Sequence, residues 1–230
     1  MKAVLLHILL ASVAFRVYPQ TDGYTRLEFL PTSGGRELTC DGSYSFLSNG
    51  DSILFETIKF YVSGIELSYK NQLVWKEINS YHLVSAADTG TLSVRLNHKE
   101  PVIFDRIKFN IGIDSITNVS GVLGGDLDPT RGMYWSWQSG YINFKLEGKS
   151  SQCKTRNNEF QFHLGGYQYP FNTLQTATMA TKKQDTIRVT MDLNKLLDGM
   201  DLSCQNRVMS PGKESVSLAG KLPGLFHLQP

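Results

Sequence analysis

Charge of one sign, long apolar runs and paired cysteines are all scarce in this chain of 230 residues. Lysine and arginine number 23 against 21 aspartates and glutamates, a formal net charge of +2. There is thus no basic field to gather nucleic acid and no acidic tail. No apolar run approaches the roughly 18 residues a membrane helix needs, which argues against a helical membrane span. Three cysteines, Cys40, Cys153 and Cys204, contain no CxxC pair, so zinc spacing is absent. In an oxidising compartment one pair can bridge and leave an odd thiol, and the sequence does not choose the pair. Catalytic motifs are missing too: there is no GxSxG, HExxH, GxGxxG or lysine-bearing phosphate loop. The expectation is a protein that is not an enzyme.

The first 14 residues, MKAVLLHILLASVA, place Lys2 before an apolar run from Ala3 to Leu10, then small residues at Ala11, Ser12 and Ala14. That is the grammar of a secretory signal peptide and is too short to span a bilayer. Cleavage is expected between positions 14 and 20. Residues 1–19 then form the leader and 20–230 a single exported domain.

Aromatics make up 11% of the chain and glycines number 20, a composition that suits strands separated by turns. Alternating patterns predict strands at Tyr24–Leu30, Arg36–Cys40, Ser52–Ser63, Ile65–Tyr69, Gln72–Trp75, Thr91–Leu96, Asp105–Ile113, Tyr141–Leu146, Glu159–Leu164 and Thr186–Leu193. Short helices are expected at Lys195–Asp198 and Glu214–Leu218, and Tyr167–Lys183 reads as a loop. About nine or ten short strands with turn signals between them imply an all-β fold, a two-sheet antiparallel β-sandwich.

The richest segment is GVLGGDLDPTRGMYWSWQSGYINFKLEG, residues 121–148. Period 2 predicts Met133, Trp135 and Trp137 on one face of a strand, with Tyr134 and Ser136 on the other. A thioether beside two indoles is either a core stripe or the wall of a soft-metal site. His163 ends an alternating strand just before Gly165-Gly166, a position from which an imidazole can serve a loop-built site. Asp126 and Asp128 offer oxygens to calcium, yet too few for its usual six to eight, and a turn at Asp128-Pro129 is the plainer reading. Asn118-Val119-Ser120 is a glycosylation sequon. Tyr167, Tyr169 and Phe171 are candidates for an exposed patch that binds a protein or glycan, the alternative in which the tryptophans are core.

The same segment, with FNIGIDSITNVSG before it and FHLGGY (Phe162–Tyr167) after it, resembles the MbnP-like family of exported proteins associated with copper and methanobactin systems. Val208–Gly212 and Phe60–Ser63 are also similar to family segments. The resemblance implies a β-sandwich in the periplasm or at the cell surface that sequesters or delivers Cu(I). It further implies a partner dihaem enzyme that oxidises a tryptophan to kynurenine, which then joins a histidine in holding copper. His163 matches the family histidine, while Met133, Trp135 and Trp137 match the MxWxW segment. Two departures stand out. Val119 follows Asn118 where the copper-associated branch has a histidine, and three cysteines replace that branch's four.

Overall fold

A computed structural model describes residues 23–38, 40–98, 100–182 and 184–229; the expected leader lies outside the described residues. Two sheets face one another. The smaller is built on Tyr24–Ser33, which is flanked by Thr186–Asp192, Arg36–Glu37 and Ser93–Asn97, with Phe226–Leu228 at its edge. The larger runs Gln175–Ala180, Arg106–Ile111, Ser52–Tyr69, Gly140–Ser150, Glu159–Gly165, Arg207–Val208. The all-β sandwich is as expected, but its sheets are mixed. Tyr24–Ser33 pairs in parallel with Thr186–Asp192, and Glu159–Gly165 with Arg207–Val208. Parallel neighbours need a long crossover, and strand-by-strand alternation carries no information about that direction.

The longest strand joins two segments that read as separate. Ser52–Tyr69 is continuous for 18 residues because Gly64, at φ 55°, absorbs a bulge where the pairing with Arg106–Ile111 slips between Ser63 and Glu66. The extra residue lets both Val62 and Ile65 face the sandwich interior. That interior is aromatic at its centre. Phe29 meets Phe60 and Phe109 edge to face at 5.5 Å each, and Phe226 closes the group at 5.6 Å from Phe60.

Alternation that points Phe60 and Val62 inward turns Lys59, Tyr61 and Ser63 to the opposite face of the large sheet. This outer face is not left to water. A second apolar cluster of Tyr61, Leu83, Ile113, Leu127, Met133, Trp135, Tyr141 and Ile142 covers it. The chain between residues 113 and 141 supplies most of that cover. It holds the helix Ser115–Val119, capped by Asp114, then 3-10 turns at Gly125–Leu127 and Pro129–Arg131.

Helices at Asn194–Leu197 and Lys213–Ala219 fall where the sequence placed them. Gln175–Ala180 is an edge strand rather than a loop. Its outward Thr176 and Thr178 are exposed and only the small Ala177 is buried between them, so the apolar signal of a strand is nearly absent. No helix among the described residues is long and apolar enough to cross a membrane.

Candidate functional site

One row of polar side chains crosses the outer face of the large sheet. Lys59 lies opposite Lys145, and Lys145 lies opposite His163 on the next strand. The chain leading into the tryptophan segment is laid over this row. Lys59 Nζ donates to the carbonyl of Arg131 at 3.0 Å, and Lys145 Nζ reaches that of Gly132 at 3.4 Å. Burial, with the neighbouring Lys145 charge, holds the Lys59 ammonium below its usual range. Gly132 turns the chain at φ 73°, after which Ile142 N–H donates to Met133 O at 2.9 Å.

Tyr134–Trp135 then pairs with Gly140–Tyr141 as a short hairpin. The expected single-face stripe stops there. Residues 136–139 form the hairpin turn, so Trp137 is 64% exposed while Met133 is fully buried and Trp135 is 6% exposed. A two-residue strand cannot carry period-2 alternation to a third side chain. The Trp137 ring instead leans on Trp135, with centroids 5.7 Å apart and planes at 44°.

The Trp135 indole lies over the bare backbone of Gly165. A Cβ on that glycine would sit 2.6 Å from Trp135 Cζ3. His163 is two residues earlier on the same strand and therefore on the same face. The structure thus brings Met133, Trp135 and His163 to one side of one sheet and leaves Trp137 at the surface.

His163 is 6% exposed, and its Nε2 lies 2.7 Å from Glu147 Oε1. The hydrogen bond from His163 is the main cause that holds the Glu147 carboxyl down at about 2, with Thr57 and Lys145 adding to it against the cost of burial. A carboxylate only accepts, so Nε2 carries the proton and, in the neutral ring, the lone pair sits on Nδ1. Nδ1 has no hydrogen-bond partner among the described residues. Glu147 pairs opposite Gln161, toward the start of the strand, whereas Trp135 sits over Gly165 at its end. The acid therefore holds the imidazole from the side away from the indole. Sequence reasoning missed Glu147, although alternation in Asn143–Gly148 puts Lys145 and Glu147 on one face.

Other candidates have local tasks. Asp126 Oδ2 accepts from Leu83 N–H at 3.0 Å, and its carbonyl accepts the Tyr61 hydroxyl at 3.0 Å. Asp128 caps the next turn through Thr130 N–H at 2.8 Å. Each carboxylate thus accepts from a backbone N–H on a different segment. Among the described residues, no three side chains of His, Cys, Asp or Glu come together as a metal cage. Asn118 is buried and fully engaged: its amide donates to the carbonyls of Ile113 and Asp114, and its Oδ1 accepts Tyr141 N–H at 2.9 Å. Val119, next to it, is 71% exposed. All three cysteines are free thiols. His82 pairs with Glu77 at 2.9 Å, and His98 meets Trp75 edge to face, with ring centroids 5.1 Å apart.

These features define a class of protein: a β-sandwich whose outer sheet face carries an imidazole and is roofed by a loop bearing sulfur and indole side chains. The MbnP family model matches residues 22–210, and the chain belongs to the MbnP family. Among solved structures it is similar to MbnP from Methylosinus trichosporium, with a TM-score of 0.61 and 14% identity over 85% of this chain and 87% of that one, a likeness of fold. No curated protein matches the chain.

Proposed function

We propose that this protein binds Cu(I) on the outer face of the large sheet and sequesters or delivers it without turnover. Family membership supports an association with copper and methanobactin systems. The observation that carries the reading is the state of His163. Its Nε2–H is tied to Glu147, its Nδ1 is left as a donor, and it shares a face with Met133 and Trp135.

Histidines that ligate metals commonly donate their other ring N–H to a carboxylate, which fixes the tautomer and raises basicity. Imidazole nitrogen and thioether sulfur are ligand types that suit Cu(I). The donor set therefore fits the ion, with His163 and Met133 as holders. Trp135, which lies over the strand, is the indole that oxidation by a dihaem partner would turn into a further ligand. Trp137 is the less suited of the two because it stands in solvent. The reading includes export to the periplasm or cell surface after removal of the leader.

Competition against a chromophoric Cu(I) chelator tests the proposal, using protein produced with and without a dihaem partner. One tightly held equivalent is expected, and it should be lost in His163→Ala. Equal chelator-limited binding by wild type and His163→Ala overturns it. A mass spectrum of the same samples should show a gain of two oxygens and loss of one carbon at Trp135 when the partner is present.

A further inference from the structure

Beside the hairpin turn, the loop Tyr167–Phe171 and the Trp135 indole enclose a cleft of about 260 Å³. Its lining has an unusual chemistry for a surface opening. Trp135, Tyr167, Tyr169 and Phe171 supply aromatic walls, Gln138 and Gln168 supply carboxamides, and two prolines and two glycines complete it. There is no Asp, Glu, Lys, Arg or His. Tyr169 is 97% exposed, an aromatic ring with its faces open to solvent.

The cleft is built into the fold rather than left over from it. Phe171 N–H donates to Gln168 O at 2.7 Å and Thr173 N–H to Gly166 O at 3.0 Å, closing the loop on itself. Ser115 Oγ donates to Tyr167 O at 2.8 Å and ties the loop to the short helix. Gly140 lets the Tyr167 ring approach, since a Cβ there would lie 3.2 Å from Tyr167 Cε1. A loop fixed in this way needs little ordering when a ligand arrives.

From this lining we infer that the cleft binds a short, uncharged saccharide. Charged ligands would meet no counter-charge on the walls. A purely apolar ligand would dry two carboxamides, each a donor and an acceptor, that have no partner among the described residues. A polyproline segment offers carbonyl acceptors alone and would leave the carboxamide oxygens unmet. A pyranose ring meets both demands: its C–H face stacks on an aromatic ring, and its hydroxyls both donate and accept. The volume suits one or two sugar rings, being below the roughly 300–1,000 Å³ of clefts for larger small molecules. The cleft shares Trp135 with the copper reading, but neither His163 nor Met133 lines it, so sugar binding is tested without the imidazole ligand.

The test is a ¹⁵N-detected titration of the metal-free protein with cellotriose, maltotriose and chitotriose, alongside trigalacturonate and a proline-rich decapeptide. At least one neutral trisaccharide should shift the Gln138 and Gln168 side-chain amides saturably. Tyr169→Ala and Gln168→Ala, both at exposed positions, should each weaken that binding by about tenfold without moving the unfolding midpoint. His163→Ala should bind the sugar as wild type does. The inference is overturned if no neutral trisaccharide gives saturable shifts, if trigalacturonate binds equally well, or if only the peptide binds.

Discussion

Replacing Glu147 by glutamine removes the charge that fixes the His163 ring, and its consequence is a change in how stability depends on pH. The carboxyl is held at about 2 in the folded protein against an ordinary value of 4.5. A group depressed in this way stabilises the fold fully above its unfolded value, and the stabilisation disappears as pH falls through its folded value. At about 1.4 kcal/mol per pH unit, the difference corresponds to a ceiling of about 3 kcal/mol. The Glu147 side chain keeps 22% of its surface in water, and His163 keeps 8%. Solvent screening therefore brings the expected contribution down to about 1–2 kcal/mol. The assay is urea unfolding of wild type and Glu147→Gln between pH 6 and pH 2. Wild type should lose about 1–2 kcal/mol more than the variant over that span, with most of the divergence below pH 4.5. Parallel curves would refute the reasoning, because they would mean that the His163–Glu147 contact does not hold the carboxyl down in solution. If Cu(I) binds through His163, the same variant should also lose about tenfold or more in Cu(I) affinity.

Gly165→Ala should push the Trp135 indole off the strand and cost about 1–3 kcal/mol, because the new methyl would sit 2.6 Å from the ring; a shifted tryptophan emission and a lower unfolding midpoint would report it. Asn118→Ala strands the Tyr141 N–H and frees two carbonyls, so a loss of about 2–4 kcal/mol in denaturant unfolding is expected. For the same reason, protein produced in a eukaryotic secretory host should carry no glycan on Asn118 once folded, which intact mass measures. Cys204 is exposed, Cys153 is buried and Cys40 is half-buried; all three thiols are pushed up, Cys40 and Cys153 by burial and Cys204 by its hydrogen bond to Asp201, so exposure is what separates them. A thiol reagent should accordingly modify Cys204 first in the native protein, and fast labelling of Cys153 would contradict the structure.

Much of the fold was legible because most of its strands bury one face. In Arg106–Ile111, Ile107, Phe109 and Ile111 alternate with polar residues and do line the interior. What escaped is what period 2 cannot encode. Strand direction is one such feature, and so the parallel pairing of Tyr24–Ser33 with Thr186–Asp192 was not foreseen. The bulge at Gly64 hid the continuity of the longest strand, because one inserted residue reverses the phase of the pattern.

At the site, His163 and the tryptophan segment were visible as residue types. The hairpin turn that sends Trp137 into solvent was not, since Ser-Trp-Gln-Ser lacks the glycine or asparagine that marks such turns. Glu147 went unnoticed because an acidic residue on an alternating strand ordinarily faces water. Here the chain from Gly125 to Trp135 roofs that face, a tertiary fact that no local pattern reports.

X-ray absorption at the copper edge of Cu(I)-loaded protein addresses the metal reading most directly. It should show imidazole scattering that disappears in His163→Ala and a sulfur shell that disappears in Met133→Leu. A spectrum left unchanged by His163→Ala would place the ion elsewhere and contradict the account.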